Sequence, residues 1–447
     1  MWRASRRQLL KTAVPLIAAA QTRKRPNILL IVLDDLGCRD LGFLGASDLR
    51  TPHIDRLARD GVVFTNWYSN APICGPARAS ILSGRYPVRA GVSANLDRLT
   101  PGIPTLAGMF RGAGYQTAAI GKWHLGSDDQ SCPNAHGFNY FYGFHAGCID
   151  YYSHRFYWGE PNRVNFHDLW RNRTEIFEDG QYFTDRIAAE TVDFLNRSKG
   201  TPFCGYFAFN APHYPMHAPQ KYIQRFASLP EERRTYAAMI SAVDDAVGGI
   251  LTALENNGQL DNTLLFLVGD NGATTEKRAG LRGGYATAGS NGPFRGYKFS
   301  LFDGGLHVPA VVHWPARLKP GVRDQQVQSM DILPTAMAAA GLVPPDGLDG
   351  CSVLPVLLDD TASPHAQLLW ESHGQLAVRR GDWKLVLNGR TYDRSSEGVQ
   401  PLTGDDAAFL SNLSADQGES ENLRRTDPAL LDELMTIARK WQSAVHE

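Results

Sequence analysis

The sequence predicts an α/β protein with a large, mostly parallel sheet flanked by helices, followed by a smaller C-terminal antiparallel sheet plus helix. Short apolar runs alternate with helical patterns up to residue 340, which is the order of elements in an α/β sheet. The runs are apolar at consecutive positions, as expected for parallel strands covered by helices on both faces. After Pro344 and Pro345 the pattern changes to shorter strands and a terminal helix.

Each predicted element follows from its own apolar pattern. Continuous apolar runs predict strands at residues 27–33, 115–120, 203–210, 264–269 and 308–313. Helical spacing of apolar residues predicts helices at residues 52–60, 105–113, 184–198, 234–256 and 331–340. Behind them we predict strands at residues 376–380 and 383–387 and a helix at residues 428–445. We therefore place a boundary near Asp360, between a main domain over residues 21–360 and a C-terminal subdomain over residues 361–447.

Residues 1–20 have the features of a cleavable signal peptide. A basic start is followed by a short apolar run that ends in three alanines at residues 18–20. Residues 5–11 resemble the twin-arginine export signal, with Leu9 where phenylalanine is usual. The run is too short for a stable membrane span, and a basic amphipathic start of the mature chain is the alternative. We predict twin-arginine export of the folded protein from a bacterial cytoplasm, to a periplasmic or secreted location.

Charge and cysteine usage narrow the class of function. Lysine plus arginine number 45 against 46 for aspartate plus glutamate, so nothing favours nucleic acid as a partner. The six cysteines are too scattered for a disulfide scaffold and lack a zinc-binding spacing. They are Cys38, Cys74, Cys132, Cys148, Cys204 and Cys351. A bridge between Cys132 and Cys148, the pair nearest in sequence, stays open.

Polar residues follow four of the predicted strands at their carboxyl ends. In strand order they are Asp34 and Asp35, Lys122 and His124, His213, and Asp270 and Asn271. Ligands of open α/β sheets bind beyond the carboxyl ends of the strands, so these side chains are expected to converge on one pocket. Three carboxylates and an amide suit calcium or magnesium better than zinc. Taken alone, the Asp-Asp and Asp-Asn pairs are also typical of helix caps and turns.

Cys74 stands just before a predicted helix, within the segment 72–85. A helix N-terminus stabilises a negative charge, and Arg78, one turn further on, supplies a fixed cation. These features indicate a reactive thiol or an anion-binding site. A buried cysteine in a Gly-Pro turn is the structural alternative.

The motif Cys74-Gly75-Pro76-Ala77-Arg78 resembles the C-x-P-x-R core of the formylglycine-dependent sulfatases. Gly84-Arg85 lies at the family's spacing, with Ser83 where threonine is more frequent, and residues 114–124 resemble the second family signature. The resemblance extends from Asn27 to about Leu423. It implies an alkaline phosphatase-like fold and the hydrolysis of a sulfate ester.

The resemblance also implies the chemistry at Cys74. Formylglycine-generating machinery would oxidise Cys74 to formylglycine, which hydrates to a geminal diol. One hydroxyl of the diol would attack sulfur to give a covalent sulfo-enzyme intermediate, and the other would expel sulfate. A single divalent cation, Ca²⁺ with Mg²⁺ as the alternative, would be bound by Asp34, Asp35, Cys74, Asp270 and Asn271.

The remaining roles come from the same resemblance. Arg78 and Lys122 would stabilise formylglycine and the anionic centre, and His124 would take the proton from the second hydroxyl. His213 and Lys298 would bind sulfate and assist the departing alkoxide. Taken singly, these lysines are also typical of solvated surface positions and these histidines of the core.

A sulfated carbohydrate is the predicted substrate, with an aryl sulfate as an artificial one. Residues 140–158 are rich in aromatic residues and histidine, including His145, Tyr152 and Trp158, and would line a sugar pocket or form a packed lid. Residues 370–373 are a second candidate for reaching the site. The alternatives are a phosphonate monoester or phosphodiester hydrolase, an inactive sulfoglycan-binding protein, and an enzyme that keeps Cys74 as a thiolate.

Overall fold

Two sheets organise the protein, whose computed structural model describes residues 24–156, 165–277, 279–281, 284–391 and 400–447. In chain order the strands are β1 (Asn27–Leu33), β2 (Val62–Phe64), β3 (Trp67–Tyr68), β4 (Gln116–Lys122), β5 (Tyr140–Phe144), β6 (Trp170–Arg171), β7 (Thr174–Glu175), β8 (Phe203–Phe209), β9 (Thr263–Gly269), β10 (Ala310–His313), β11 (Gly321–Arg323), β12 (Val327–Gln328), β13 (Leu368–Ser372), β14 (Gln375–Arg380), β15 (Trp383–Leu387), β16 (Arg390–Thr391), β17 (Gln400–Pro401) and β18 (Ala408–Asn412). The α-helices are α1 (Pro52–Asp60), α2 (Cys74–Ser83), α3 (Leu106–Gly112), α4 (Phe183–Arg197), α5 (Gln220–Ile223), α6 (Glu231–Asn256), α7 (Asp303–Leu306), α8 (Ile332–Ala339), α9 (Leu354–Asp359) and α10 (Pro428–Val445).

The large sheet has ten strands in the order β11-β2-β10-β9-β1-β8-β4-β5-β6-β7. Its five central strands, from β9 to β5, are parallel. Antiparallel pairs occur toward the edges, where β10 pairs with β9 and β2, and β6 pairs with β5 and β7. The predicted α/β class with a mostly parallel sheet is therefore confirmed for the centre, and the whole sheet is mixed.

Helices cover both faces of the central strands, which explains their continuous apolar sequences. Every residue of β1, β8 and β9 is buried. One apolar layer includes side chains of α1, α4 and α6, and the other includes side chains of α2, α3 and α8. Alternate residues of β1 contribute to opposite layers, with Leu29 in the first and Leu30 in the second.

The helix α6 is long and apolar enough, by length and composition, to cross a membrane. In its most apolar stretch, 83 % of the residues are buried inside the protein. It packs against α1, α4 and α5. Such burial is typical of a core helix.

The C-terminal part forms a second, four-stranded antiparallel sheet in the order β13-β14-β15-β18. The helix α10 packs on it, with Leu431 and Leu434 buried against Val378 and Leu385. This is the predicted smaller sheet plus helix. The sheet begins at Leu368, whereas the division of the chain near residue 360 stays a prediction.

All six cysteines lie among the described residues, and all are free. A bridge between Cys132 and Cys148, left open by the sequence, is therefore absent from this structure. The predicted signal peptide, residues 1–20, lies outside the described residues.

Candidate active site

The predicted site residues converge at the carboxyl edge of the central sheet. β1 leads to Asp34 and Asp35, β4 to Lys122 and His124, β8 to His213, and β9 to Asp270 and Asn271. The register explains this convergence, because Leu33 lies opposite both Phe209 and Gly269, so β1, β8 and β9 end at the same level. Ten predicted residues are at least nine-tenths buried: Asp34, Asp35, Cys74, Arg78, Lys122, His124, His213, Asp270, Asn271 and Lys298.

Cys74 is the first residue of α2, and its thiol faces the carboxylates of β1. Its Sγ lies 3.3 Å from Asp34 Oδ1 and 3.5 Å from Asp35 Oδ1. Burial, reinforced by the charge of Asp34, raises the pKa of the Cys74 thiol well above its ordinary value. Such surroundings disfavour a thiolate, which weighs against an enzyme that uses unmodified Cys74 as its nucleophile.

Arg78, one turn along α2, is fully buried and fixed by three groups. Its Nε donates to Asp270 Oδ2 at 3.0 Å, and its Nη1 donates to the Lys122 carbonyl and the Tyr206 hydroxyl, both at 3.2 Å. These contacts hold a guanidinium charge in the buried cluster that contains Cys74 and Asp34. The interior position of α2, with all ten of its residues buried, explains why this charge stays out of solvent.

The two buried carboxylates next to Arg78 have opposite pKa shifts. Burial raises the pKa of Asp34, but the neighbouring cation Lys122, together with Arg78, outweighs it and holds this pKa well below its usual range. Burial and the charge of Asp34 raise the pKa of Asp270 to about 7, against the opposing effect of Arg78. The site therefore concentrates its negative charge on Asp34 more than on Asp270.

Two ammonium groups neutralise the carboxylates that follow β1. Lys122 Nζ lies 2.6 Å from Asp34 Oδ2, and Lys298 Nζ lies 2.9 Å from Asp35 Oδ2 and 3.3 Å from Glu276 Oε2. Burial lowers the pKa of each lysine, but the paired carboxylates outweigh it, and both pKa values are raised. Both lysines are therefore cations at neutral pH.

His213 lies between the second carboxylate and the second lysine. Its Nδ1 is 2.8 Å from the carbonyl of Tyr214, which assigns the proton to Nδ1. Its Nε2 is 3.4 Å from Lys298 Nζ and 3.5 Å from Asp35 Oδ2. Burial lowers the pKa of His213 to about 3, so this histidine is neutral at pH 7.

His124, two residues beyond β4, adopts a left-handed backbone conformation with φ of 59°. Its backbone N–H donates to the His145 carbonyl at 3.1 Å, and its buried Nδ1 has no hydrogen-bond partner in the described chain. Burial and the charge of Lys122 hold the pKa of His124 well below its ordinary value. Gly147 allows the ring to sit there, because a Cβ at residue 147 would lie 2.7 Å from His124 Nε2.

The cluster fits a hard divalent cation. Ligand atoms of Asp34, Asp35, Cys74 and His213 lie within 4.8 Å of one another. Asn271 Nδ2 donates to Asp35 Oδ1 at 2.7 Å, whereas the buried Asn271 Oδ1 has no hydrogen-bond partner among the described residues. A bound cation would satisfy this oxygen, and carboxylate and amide oxygens are the ligands that calcium and magnesium prefer. The sequence assigned His213 to sulfate, and the structure also places it beside the proposed metal ligands.

A cavity of about 650 Å³ opens over these residues. Its lining includes Cys74, His124, His213 and Lys298, together with Asn95, His145, Phe156, His167, Trp170 and Tyr214. The cavity is large enough for a sugar, and its walls combine aromatic faces with a few polar groups, as is typical of small-molecule sites.

Two candidate sugar contacts differ from the sequence expectation. Among the described residues, Tyr152 does not line this cavity, because it packs against Tyr182 with ring centroids 5.3 Å apart. His373 lines a separate cavity of about 170 Å³, next to Trp441. Trp158 lies outside the described residues. The described part of the segment 140–158 therefore contributes residues 145–148 and Phe156 to the large cavity. Of its central tyrosines, Tyr151 is a core residue and Tyr152 is partly buried against the core.

Three supporting residues escaped the sequence analysis. Asn95 Oδ1 accepts the N–H of Gly75 at 3.0 Å and so holds the start of α2. Tyr206 lies within the apolar run of β8, where nothing distinguishes it from a core tyrosine, although it contacts Arg78. Glu276 contacts Lys298, and its position shortly after Asp270 and Asn271 in the sequence could have indicated that it lies near the site.

Comparison with known proteins agrees with this geometry. Residues 26–342 match the family described as Sulfatase. N-acetylgalactosamine-6-sulfatase of Mus musculus is 33 % identical over 405 residues, which cover 85 % of this chain and 75 % of the mouse protein. The uncharacterized sulfatase YdeN of Escherichia coli (strain K12) is 34 % identical, with coverage of 78 % of this chain and 69 % of YdeN.

A solved structure is also similar to this chain. The crystal structure of Ps i-CgsB in complex with k-i-k-neocarrahexaose has a TM-score of 0.81 and 31 % sequence identity, and the match covers 94 % of this chain and 93 % of that chain. The family match covers most of the chain, and the structural match covers nearly all of it. The chain therefore belongs to the sulfatase family of sulfuric ester hydrolases, within the alkaline phosphatase-like superfamily.

Proposed function

We propose that this enzyme hydrolyses the sulfate ester of a sulfated carbohydrate, with a formylglycine derived from Cys74 as nucleophile and one divalent cation. The position of Cys74 carries the proposal. Cys74 is the first residue of α2 and lines the large cavity. Carboxylate oxygens of Asp34 and Asp35 lie within 3.5 Å of its sulfur. Two buried lysines, Lys122 and Lys298, donate hydrogen bonds to these carboxylates. An anionic ester with its sulfur near residue 74 would meet these cations.

The cation would be held by Asp34, Asp35, Asp270, Asn271 and the modified residue 74. When bound, it supplies Lewis-acid stabilisation of negative charge at the ester and the nucleophile. We propose Ca²⁺, with Mg²⁺ as the alternative, because the protein ligands are oxygen atoms. Formylglycine supplies the nucleophilic hydroxyl as its hydrate, and its formation requires formylglycine-generating machinery as a partner during biogenesis.

The chain's own charged residues would orient the ester. Arg78 and Lys122 hold positive charge beside residue 74 and offset the charge that builds up on the sulfate oxygens. Lys298 and His213, with their nitrogens 3.4 Å apart, would bind sulfate and assist the departing alkoxide. The ammonium of Lys298 would supply the proton, because neutral His213 carries its proton on Nδ1, bonded to the Tyr214 carbonyl. His124 is kept neutral by burial and can accept the proton of the second hydroxyl of residue 74.

The carbohydrate assignment rests on the cavity and on relatives. One similar protein is named N-acetylgalactosamine-6-sulfatase, and another, Ps i-CgsB, was solved in complex with k-i-k-neocarrahexaose. The cavity, with aromatic walls provided by Phe156, Phe166 and Trp170, has a volume suited to a sugar bearing the sulfate. We propose a sulfated mono- or oligosaccharide as substrate.

A panel of matched esters tests the reaction class and the substrate class together. We expect hydrolysis of sulfated mono- and disaccharides and of an aryl sulfate, with the best saccharide giving a higher kcat/KM than the aryl sulfate despite its poorer leaving group, since sugar contacts position the ester. Phosphate diester and phosphonate monoester analogues serve as controls and should be turned over at least about 100-fold more slowly. Preference for a phosphorus ester would contradict the proposed reaction, and absence of saccharide turnover would contradict the substrate class.

We also propose export through the twin-arginine pathway, on the basis of Arg6 and Arg7 and the apolar run behind them. Replacement of both arginines by lysine should leave the folded, modified protein in the cytoplasm. Cell fractionation followed by an aryl sulfatase assay measures this, with the unchanged signal as control. An unchanged periplasmic yield would indicate another export route.

A further inference from the structure

His145 lies in the wall of the large cavity and has no role in the chemistry described above. It directly follows β5, and its carbonyl accepts the backbone N–H of His124 at 3.1 Å. The two histidines therefore leave neighbouring parallel strands at the same edge of the sheet. This main-chain bond does not involve the His145 ring, so substitutions of the side chain leave the bond to His124 available.

The ring of His145 is fixed by packing. Its centroid lies 5.1 Å from that of Phe141 and 5.2 Å from that of Trp170. The carboxylate of Asp168 accepts the N–H groups of His145 and Ala146 at 3.2 and 2.8 Å, and the indole N–H of Trp170 at 2.8 Å. Only 7 % of His145 is exposed. Because the ring is already fixed, the His145 side chain would lose little conformational entropy when a ligand binds to it.

One nitrogen of this fixed ring lacks a partner. The Nε2 of His145 is buried and forms no hydrogen bond within the part of the chain that the structure describes. We assign the proton to Nδ1, the ring nitrogen that faces the acidic Asp168 with Oδ1 3.7 Å away, and this assignment leaves a lone pair on Nε2. Burial lowers the pKa of His145 to about 4, so the ring stays neutral near pH 7. A buried acceptor without a donor costs free energy that a ligand hydroxyl can recover.

We propose that Nε2 of His145 accepts a hydrogen bond from a free hydroxyl of the sulfated sugar and thereby selects the saccharide. This inference rests on the proposed function and makes it more specific. The site would prefer sulfated sugars that keep this hydroxyl over analogues in which it is removed, alkylated or itself sulfated, because these analogues offer no proton to Nε2. His145 would thus determine specificity without taking part in bond cleavage.

Two substitutions of His145, each assayed on a saccharide sulfate and on an aryl sulfate, test the proposal. The variant His145→Phe keeps an aromatic ring between Phe141 and Trp170 but removes Nε2, whereas His145→Gln places an amide near the position of Nε2. For the best saccharide of the panel, we expect His145→Phe to lower the ratio of its kcat/KM to that of the aryl sulfate about 10-fold or more. His145→Gln should recover part of this ratio.

Deoxy analogues of the same saccharide complete the test. Wild-type enzyme should discriminate about 10-fold against one monodeoxy analogue, and His145→Phe should lose this discrimination, since the hydroxyl then has no acceptor. His154→Phe is the matched control, because His154 is a buried histidine of the same segment whose Nε2 is 3.0 Å from the Gln181 carbonyl and which does not line the cavity. It should leave the ratio unchanged.

Two results would overturn the inference while the proposed function stands. One is an equal loss on saccharide and aryl sulfate in both His145 variants, and the other is retained discrimination against the deoxy analogue in His145→Phe. If His145→Phe fails to fold, His145→Gln and the wild-type deoxy series carry the test. A wild-type enzyme that hydrolyses no sulfate ester would contradict the proposed function itself, and the inference with it.

Discussion

Replacement of Cys74 by alanine is expected to lower kcat/KM for an aryl sulfate at least about 10⁴-fold, the order of magnitude for loss of a covalent nucleophile. Only the sulfur of Cys74 contacts Asp34 and Asp35, so alanine removes these contacts and nothing else. Alanine also has a higher helix propensity than cysteine, and residue 74 is the first residue of α2. The variant should therefore fold like the wild type, and steady-state kinetics on purified protein will measure the effect.

Cys351→Ala provides the matched control. Cys351 is a half-buried free cysteine that does not line the large cavity, so its loss should change kcat/KM little. Thermal unfolding of both variants separates an effect on chemistry from an effect on the fold. If Cys74→Ala keeps more than about a tenth of the wild-type activity, residue 74 is not the covalent nucleophile.

Removal of divalent cations is expected to lower activity at least about 100-fold, because charge stabilisation of several kcal/mol is lost. Addition of Ca²⁺ or Mg²⁺ to the chelated enzyme should restore it. Cation binding can also be measured without turnover, because a cation that binds only the folded state raises the free energy of unfolding. The increase is about 2.7 kcal/mol when the free cation concentration is 100 times its Kd. Thermal unfolding with and without Ca²⁺ measures this stabilisation.

Substitutions of two buried asparagines, one of them a control, test where the cation binds. Asn271→Ala removes the unpaired Oδ1 beside Asp35 and should reduce the Ca²⁺-dependent stabilisation. Asn70→Ala is the control, because Asn70 is also buried with one unpaired side-chain atom but lies outside the acidic cluster. Equal Ca²⁺-dependent stabilisation of all three proteins, or full activity in metal-free enzyme, would reject the assigned metal site.

Much of the fold could be predicted because its central strands are buried on both faces. The predicted bounds of β1, α1, β15 and α10 agree with the structure residue for residue. Each of these elements has a continuous or strongly periodic apolar pattern with polar residues, glycine or proline at its ends. The edges of the large sheet were not predicted, since strands of two or three residues such as β6 and β11 carry too few side chains for a pattern.

The proposed reacting centre was predictable because strand ends and two long motifs mark it. The walls of the cavity were harder, since aromatic residues serve packing and recognition alike. Tyr151 illustrates this ambiguity, because its hydroxyl oxygen lies within hydrogen-bond distance of two carbonyl oxygens, 2.8 Å from that of Asn210 and 2.9 Å from that of His213. Its single proton can be donated to either, and the contact supports the loop that carries the site histidine. Its neighbour Tyr152 is partly buried and packs against the core, and only the tertiary structure distinguishes these two tyrosines from His145.

The mass of the peptide that contains residue 74 shows whether Cys74 is converted to formylglycine. Protein produced with a competent formylglycine-generating system should be digested and analysed by mass spectrometry, in parallel with protein produced without that system. We expect formylglycine at residue 74 in the active preparation, cysteine in the other, and aryl sulfatase activity in proportion to the modified fraction. Full activity in protein that carries only cysteine at residue 74 would contradict this expectation.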